Sequence, residues 1–291
     1  MPELPEVETV RLGLERSVTG KVVTGVRILD PRAVRRHDGG PQDFTGAVTG
    51  RLLGNPRRRG KYLWVPLGGV DPMSSAGDAL LCHLGMSGQF RIDDAGTPLL
   101  RHTRVVLDLD DGRELRFLDQ RLFGGMQVSR GGALLPAEIS HIGPDPFDAG
   151  FDAVVASRRL RARRSTLKRA LLDQSLVSGI GNIYADETLW RARRHPETPT
   201  SRLRAVEAAG IYETAREVMA EAIDQGGTSF DRLYVRVNGE TGYFGRSLDV
   251  YGREGAACRR CGAGIVRMAF MNRSSYLCPR CQRWPRGVPR L

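Results

Sequence analysis

The stretch ISHIGPDPFDAGF, residues 139–151, divides this chain into two halves of different hydrophobic period. Gly143, Pro144, Pro146 and Gly150, interleaved with Asp145 and Asp148, break any regular element. On its N-terminal side, short apolar or alternating runs follow one another: KVVTGVRIL (21–29), GAVTGRLL (46–53), KYLWVPL (61–67), ALLCHL (79–84), TRVVLDL (103–109) and ELRFLD (114–119). Turn-rich stretches separate them, and DLDDGRELRFL reads as a hairpin about Asp111–Gly112. Several strands at such intervals predict a sandwich or barrel. On its C-terminal side the period becomes helical, with candidates at 151–165, 165–174, 183–193 and 201–225. Residues 226–250 are rich in glycine and without period, and are expected to form a loop. A further amphipathic helix is predicted over residues 5–18, where Val7, Val10, Leu14 and Val18 recur at helical spacing.

Bulk properties narrow the class. A chain of 291 residues, 41% hydrophobic, can hold about two domains and a small appendage. It has no apolar run of membrane-spanning length and does not open on a basic region followed by an apolar one, so a cytoplasmic protein without membrane contact is expected. The net charge of +11, carried mostly by arginine, points to a polyanionic partner, although ribosome-associated proteins share that balance. Cys82, inside an apolar run, reads as a buried reduced thiol.

The other four cysteines are more specific. Cys258-x-x-Cys261 and Cys278-x-x-Cys281, sixteen residues apart, match a four-cysteine zinc site of two chelating turns joined by a hairpin. Four thiolates leave no open position, so one structural Zn²⁺ is expected and no catalytic metal or organic cofactor. The hairpin carries Arg273, either as a phosphate contact or as an ordinary turn residue.

The opening residues MPELPEVET crowd two prolines and three glutamates together. A helix start accounts for Pro5 and the acids. If Met1 is removed, the same residues present a secondary amine at Pro2 flanked by Glu3 and Glu6.

PELPEVET, GIGNIYADE (179–187) and YGREG…CRRCG…CPRCQ occur in the order found in the formamidopyrimidine-DNA glycosylases of bacteria, and the resemblance spans almost the whole chain. Endonuclease VIII, a close relative, resembles the opening less well. The resemblance implies an α+β multidomain fold: an N-terminal catalytic β-sandwich flanked by helices (1–140), a linker (141–156), a helix–two-turn–helix domain with a lesion loop (157–250), and a zinc finger with a C-terminal tail (251–291). It implies a monomeric base-excision enzyme of the bacterial nucleoid, acting on double-stranded DNA with oxidised bases or abasic sites. By the same resemblance Pro2 is the nucleophile, Glu3 the acid/base at the sugar, Lys61 a residue of β-elimination and phosphate binding, and Arg273 a residue of δ-elimination and DNA contact. Glu6 is a second carboxylate at the lesion pocket. His102, Arg121, Arg163 and Asn182 fall where the family contacts DNA, and Lys168 is a further candidate phosphate contact, or else part of a solvated helix face. Met86, Arg121 and Phe123 match a triad that fills the gap left when a nucleotide is swung out of the stack; by periodicity alone Met86 and Phe123 are core residues. Tyr243 and Phe244 match the loop over the extruded base. The chain departs from the family at DQRLFGG and NRSSYLC and carries an inserted GGVDPMSSAGDA (68–79). An endonuclease VIII-like specificity for oxidised pyrimidines, and a non-catalytic zinc-finger protein that binds damaged DNA, are the alternatives.

Overall fold

The computed structural model describes residues 2–68, 77–228, 245 and 247–289. These fold as two compact units. The first holds the described residues up to His141 together with 225–228; the second holds Ile142–Asp224 and the described residues from 245 onward.

The first unit opens with α1 (Leu4–Val18), which buries Val7, Val10, Leu14 and Val18 along one face. Two four-stranded antiparallel sheets follow. One is ordered β1 (Val23–Ile28), β6 (Thr103–Leu109), β7 (Arg113–Asp119), β5 (Gly88–Asp94). The other is ordered β2 (Arg57–Arg59), β3 (Tyr62–Leu67), β4 (Asp78–His83), β8 (Gly125–Ser129). Phe90, Val105, Leu107 and Phe117 of the first meet Leu63, Val65, Leu80 and Met126 of the second in one core, with α1 packed into it. The β6–β7 connection is the expected hairpin, and Gly112 takes the left-handed conformation (φ +82°) that such a turn requires. Cys82 is buried in the core, which pushes its thiol far above the ordinary value.

One expected strand is a helix. Part of GAVTGRLL belongs to α2 (Gly40–Val48), where Pro41 occupies the first turn and Phe44 and Val48, four residues apart, are buried. Only Leu52 and Leu53 make isolated bridges to Val22 and Leu67.

The second unit contains α3 (Ala153–Ala162), α4 (Leu167–Leu171), α5 (Asn182–Arg191), α6 (Ala205–Asp224) and a hairpin of β9 (Val266–Phe270) and β10 (Arg273–Leu277). α3 begins inside the expected linker, capped by the Asp152 carboxylate on the N–H groups of Val154 and Val155. The cysteine hairpin is not a separate body. Cys258, Ile265 and Cys278 share a small core with Trp190 of α5 and with Val250, which the hairpin is too short to replace from its own residues. Among the described residues no helix is long and apolar enough to cross a membrane.

Candidate active site and nucleic-acid interface

Pro2 and Glu3 are buried at the head of α1, with Glu3 at the N-cap in extended backbone. Glu3 and Glu6 form a capping box. The Glu3 N–H donates to Glu6 Oε2 at 2.9 Å, so two acids lie where the helix dipole is positive. Glu6 Oε1 accepts from both the N–H and the hydroxyl of Thr228, each at 2.8 Å. Gly227 packs so closely on Glu6 that a Cβ would stand 3.2 Å from its Cγ and Oε1.

Lys61 lies with Gly60 in the two-residue turn between β2 and β3. That hairpin is tied to α1 by Arg58, whose Nε donates to Glu8 Oε2 at 2.8 Å. On β4 the His83 ring packs at a tilt against Tyr62 (centroids 4.7 Å apart) and accepts from the Gly85 N–H at Nδ1. Burial, followed by the charges of Arg36 and Lys61, lowers its pKa to about 4, so the ring is neutral at pH 7.

Met86 and Phe123 are not core residues. They are 40% and 50% exposed on two neighbouring turns, and the guanidinium of Arg121 lies 4.9 Å from the Phe123 ring centre. Ser87 joins the turns: its hydroxyl donates to Asp119 Oδ1 at 2.5 Å and accepts from the Arg121 N–H at 2.9 Å. Asp119 Oδ2 accepts from the Gly124 N–H at 2.8 Å. Gly85, at φ +60°, permits the approach, since a Cβ there would stand 2.3 Å from Gly124 N. The result is an exposed apolar pair beside a cation on a rigid base.

His102 adopts a left-handed backbone (φ +71°), and its carbonyl accepts from the Asp119 N–H at 3.0 Å. Arg104 Nη2 lies 3.2 Å from His102 Nδ1. A guanidinium only donates, so in the neutral ring Nδ1 accepts and Nε2 carries the proton.

In the second unit the SGIGN loop is pinned by Gln174, which accepts from the Gly179 N–H and donates to the carbonyls of Leu172 and Ile180. Asn182 then starts α5, and its Nδ2 donates to the Ser274 carbonyl at 3.0 Å. Arg163 caps the end of α3, with its side chain exposed and paired with Asp173 at 2.9 Å. Arg273 opens β10, exposed, after the turn of Met271 and Asn272.

Lys168 corrects the sequence reading. It is fully buried, with Nζ 2.7 Å from Asp186 Oδ1 and 2.8 Å from Ser275 Oγ, and so presents no charge to solvent or to a phosphate. Burial pushes Asp186 up to about 7 against the pull of Lys168. Glu187, also raised by burial, accepts from the N–H groups of Asp249, Val250 and Tyr251. Tyr243 and Phe244 lie outside the described residues, as does most of the 68–79 insertion.

The sulfur atoms of Cys258, Cys261, Cys278 and Cys281 all lie within 4.8 Å of one another. Zinc–sulfur bonds of about 2.3 Å span a tetrahedron of that scale, so the four thiols fit a structural metal. Trp190 Nε1 donates to Cys258 Sγ at 3.4 Å, adding an outer hydrogen bond to one ligand.

Three family models match in chain order: the formamidopyrimidine-DNA glycosylase N-terminal domain over residues 1–126, the H2TH domain of that enzyme over 142–232, and a zinc finger found in FPG and IleRS over 255–283. The chain belongs to the formamidopyrimidine-DNA glycosylase family. As a member it is a DNA glycosylase of base-excision repair. A formamidopyrimidine-DNA glycosylase of Nocardioides sp. is 59% identical, with 98% of this chain and 96% of that one covered. One of Streptomyces coelicolor is 53% identical, with 99% and 100% covered. Among solved structures, a Lactococcus lactis FPG mutant (G226P) in complex with Fapy-dG-containing DNA superposes with a TM-score of 0.87 at 33% identity, covering 97% of this chain and all of that one. The complex of Lactococcus lactis Fpg with abasic-site DNA gives 0.86 at the same identity and coverage.

Within this member of the glycosylase family, the sequence reading missed the supports rather than the exposed groups. Ser87, Asp119, Arg104 and Thr228 are polar residues on turns and strand ends, and each has a partner far away in sequence (Asp30 for Arg104), so no local pattern marks them.

Proposed function

We propose that this chain is a bifunctional glycosylase and abasic-site lyase that removes oxidised purines, 8-oxoguanine and formamidopyrimidines, from duplex DNA. It acts as a monomer at the bacterial nucleoid, with zinc as the structural metal and no catalytic metal or organic cofactor. The observation that carries the reading is the head of α1, where Pro2 adjoins a buried capping box of Glu3 and Glu6.

Once Met1 is removed, Pro2 offers a secondary amine, and an unperturbed α-amino group, with a pKa of about 8, keeps a useful neutral fraction at pH 7. Its lone pair attacks C1′ of the extruded nucleotide, and the glycosidic bond breaks as the base leaves with a proton. Glu3 protonates the ring oxygen, the sugar opens, and the amine becomes an iminium. That cation withdraws electrons, so a C2′ proton is lost and the 3′ phosphate departs. A second elimination releases the 5′ phosphate. Lys61 serves the first elimination and Arg273 the second. Met86, Arg121 and Phe123 fill the gap in the stack, and His102, Arg163 and Asn182 hold the backbone.

Borohydride treatment with 8-oxoguanine duplex tests the reading: the wild type is trapped covalently, and Pro2→Gly lowers trapping sharply while duplex affinity changes little. Equal trapping by both proteins assigns the nucleophile elsewhere, to Lys61 first. Absence of trapping leaves a DNA-binding protein. One structural neighbour is a complex of Lactococcus lactis Fpg with oxidised-pyrimidine DNA, so thymine glycol is the comparison substrate. Faster excision of thymine glycol than of 8-oxoguanine opposite cytosine would move the specificity to pyrimidines.

A further inference from the structure

We propose that Lys168 is a positioning residue: its buried ammonium locks the outer edge of β10 onto α5, and so fixes where Arg273 and Asn182 stand toward a DNA phosphate. The phosphate roles of those two residues rest on the proposed function; the lock itself does not.

Among the described residues β10 pairs with β9 along one edge and with no other strand. Its other edge leaves the main-chain groups of Ser274 and Tyr276, two residues apart and pointing the same way, to find partners. α5 supplies them with side chains. Asn182 Nδ2 donates to the Ser274 carbonyl at 3.0 Å, and Asp186 Oδ2 accepts from the Tyr276 N–H at 2.9 Å. Residues 182 and 186 are four apart and share one helix face, about 5–6 Å from each other. A strand advances about 6.6–6.8 Å in two residues. The spacings match closely enough for two helix side chains to stand in for a third strand, one as donor and one as acceptor.

Lys168 closes the arrangement. Its Nζ contacts Asp186 Oδ1 at 2.7 Å, Ser275 Oγ at 2.8 Å and the Ser274 carbonyl at 3.2 Å, and it lies 4.8 Å from the Phe270 ring centre. The ammonium thus donates to the Ser275 hydroxyl and the Ser274 carbonyl and is ion-paired with the Asp186 carboxylate. The Ser274 carbonyl receives both Lys168 and Asn182, and Arg273 is the preceding residue. A one-residue slip of β10 would send the Arg273 side chain to the opposite face of the hairpin. Asn182 is fixed by the same carbonyl: one proton of Nδ2 goes to Ser274, Oδ1 has no hydrogen-bond partner among the described residues, and the second Nδ2 proton is the group suited to an anionic oxygen. A buried ion pair is a poor source of stability compared with apolar packing, and is better suited to holding one register.

The test uses the full-length zinc-loaded protein. Lys168→Met removes the ammonium. Lys168→Met with Asp186→Asn removes both charges yet keeps an acceptor for Tyr276, which guards against the cost of a lone buried carboxylate. On abasic-site duplex, both variants lower the ratio of δ- to β-elimination product about tenfold. Zinc stays at one per chain, and the slope of log affinity against log salt stays that of wild type. A ratio within twofold of wild type with zinc retained overturns the proposal, as does loss of zinc. A slope reduced by about 0.9 would mark a direct phosphate contact and overturns it as well. If the wild type yields no elimination product, the proposed function fails instead, and amide exchange over residues 273–277 decides the lock: it accelerates about tenfold in Lys168→Met if the proposal holds and is unchanged if it does not.

Discussion

A single oxygen of Glu6, Oε1, accepts both the N–H and the hydroxyl of Thr228, while Oε2 accepts the N–H of Glu3. The segment after α6 is thereby tied to the residue next to Pro2. Thr228 is 222 positions away in sequence, and both partners are buried. Thr228→Val keeps the size and the main-chain bond but removes the hydroxyl; a buried hydrogen bond lost in this way costs about 0.5–1.5 kcal/mol. Urea denaturation should show a loss in that range. Gly227→Ala should cost at least as much, because its φ of +80° and the contact with Glu6 are both hostile to a Cβ. A Gly227→Ala protein as stable as wild type would mean that this contact is absent in solution.

Ser87 gives a second prediction, on recognition rather than stability. Its hydroxyl links the Met86 turn to the Arg121 main chain, with Asp119 behind it. Ser87→Ala lets the two turns move independently, so an exposed wedge set by about 1 Å of precision loses its fit. Affinity for duplex with an abasic-site analogue should fall about tenfold, while affinity for undamaged duplex, supplied by phosphate contacts, stays within twofold. Equal losses on both duplexes would assign Ser87 to general folding.

The parts of the fold that were legible in the sequence are those encoded locally. The α1 stripe, the Asp111–Gly112 hairpin, the four C-terminal helices and the paired cysteines each declare themselves within about twenty residues. α2 was not legible, because Gly39, Gly40 and Pro41 read equally well as a turn between strands and as a helix start with proline in its first turn. The exposure of Met86 and Phe123 was legible only by resemblance: hydrophobicity does not distinguish a core residue from an exposed one. Lys168 misled for the same physical reason. STLKRALL looks amphipathic, and Asp186, Ser274 and Ser275, which compensate the burial of its lysine, stand on other elements of the chain.

The tautomer of His102 supplies a third prediction. Arg104 donates toward Nδ1 and is itself held by the Asp119 carbonyl at 2.8 Å and by Asp30 at 3.3 Å. In wild type, long-range ¹⁵N correlation spectra should show the neutral ring protonated at Nε2. In Arg104→Leu, which removes the donor while keeping an apolar stem, the two tautomers should become mixed. An Nδ1-protonated ring in the wild type would exclude the contact.

Acid sensitivity of α6 follows from Glu207. Its carboxylate accepts from the Arg204 N–H at 2.8 Å and pairs with the Arg194 and Arg204 guanidiniums at the start of the helix. Led by the Arg204 main-chain bond, these partners lower its pKa from 4.5 to about 2. A depressed folded-state value means that the contribution is complete above the unfolded pKa of about 4.3 and is lost as pH falls toward the folded one. The stability difference between wild type and Glu207→Gln should therefore be constant from pH 7 to 5 and shrink steadily between pH 4.5 and 2. Urea titrations across that range read it directly, and a difference that grows on acidification would contradict the assignment.

Metal removal tests how the cysteine cluster supports its surroundings. Trp190 ends α5 against Cys258, its indole N–H on the sulfur and its ring 4.0 Å from the Arg260 guanidinium, while Val250 and Ile265 fill the space beside it. Without metal, four close thiolates would repel one another, so the thiols must reprotonate or the hairpin must open. Opening exposes Trp190 and withdraws the Ser274 carbonyl from Asn182, at the other end of the same helix. A strong chelator should therefore shift tryptophan emission to longer wavelength and weaken DNA binding in parallel, with both signals restored by one equivalent of zinc per chain. Cys278→Ser should behave as the chelated wild type without the recovery. Emission and affinity that change at different chelator concentrations would show that α5 holds its place without the metal, and the hairpin would then be an attachment to the helical unit rather than a part of its core.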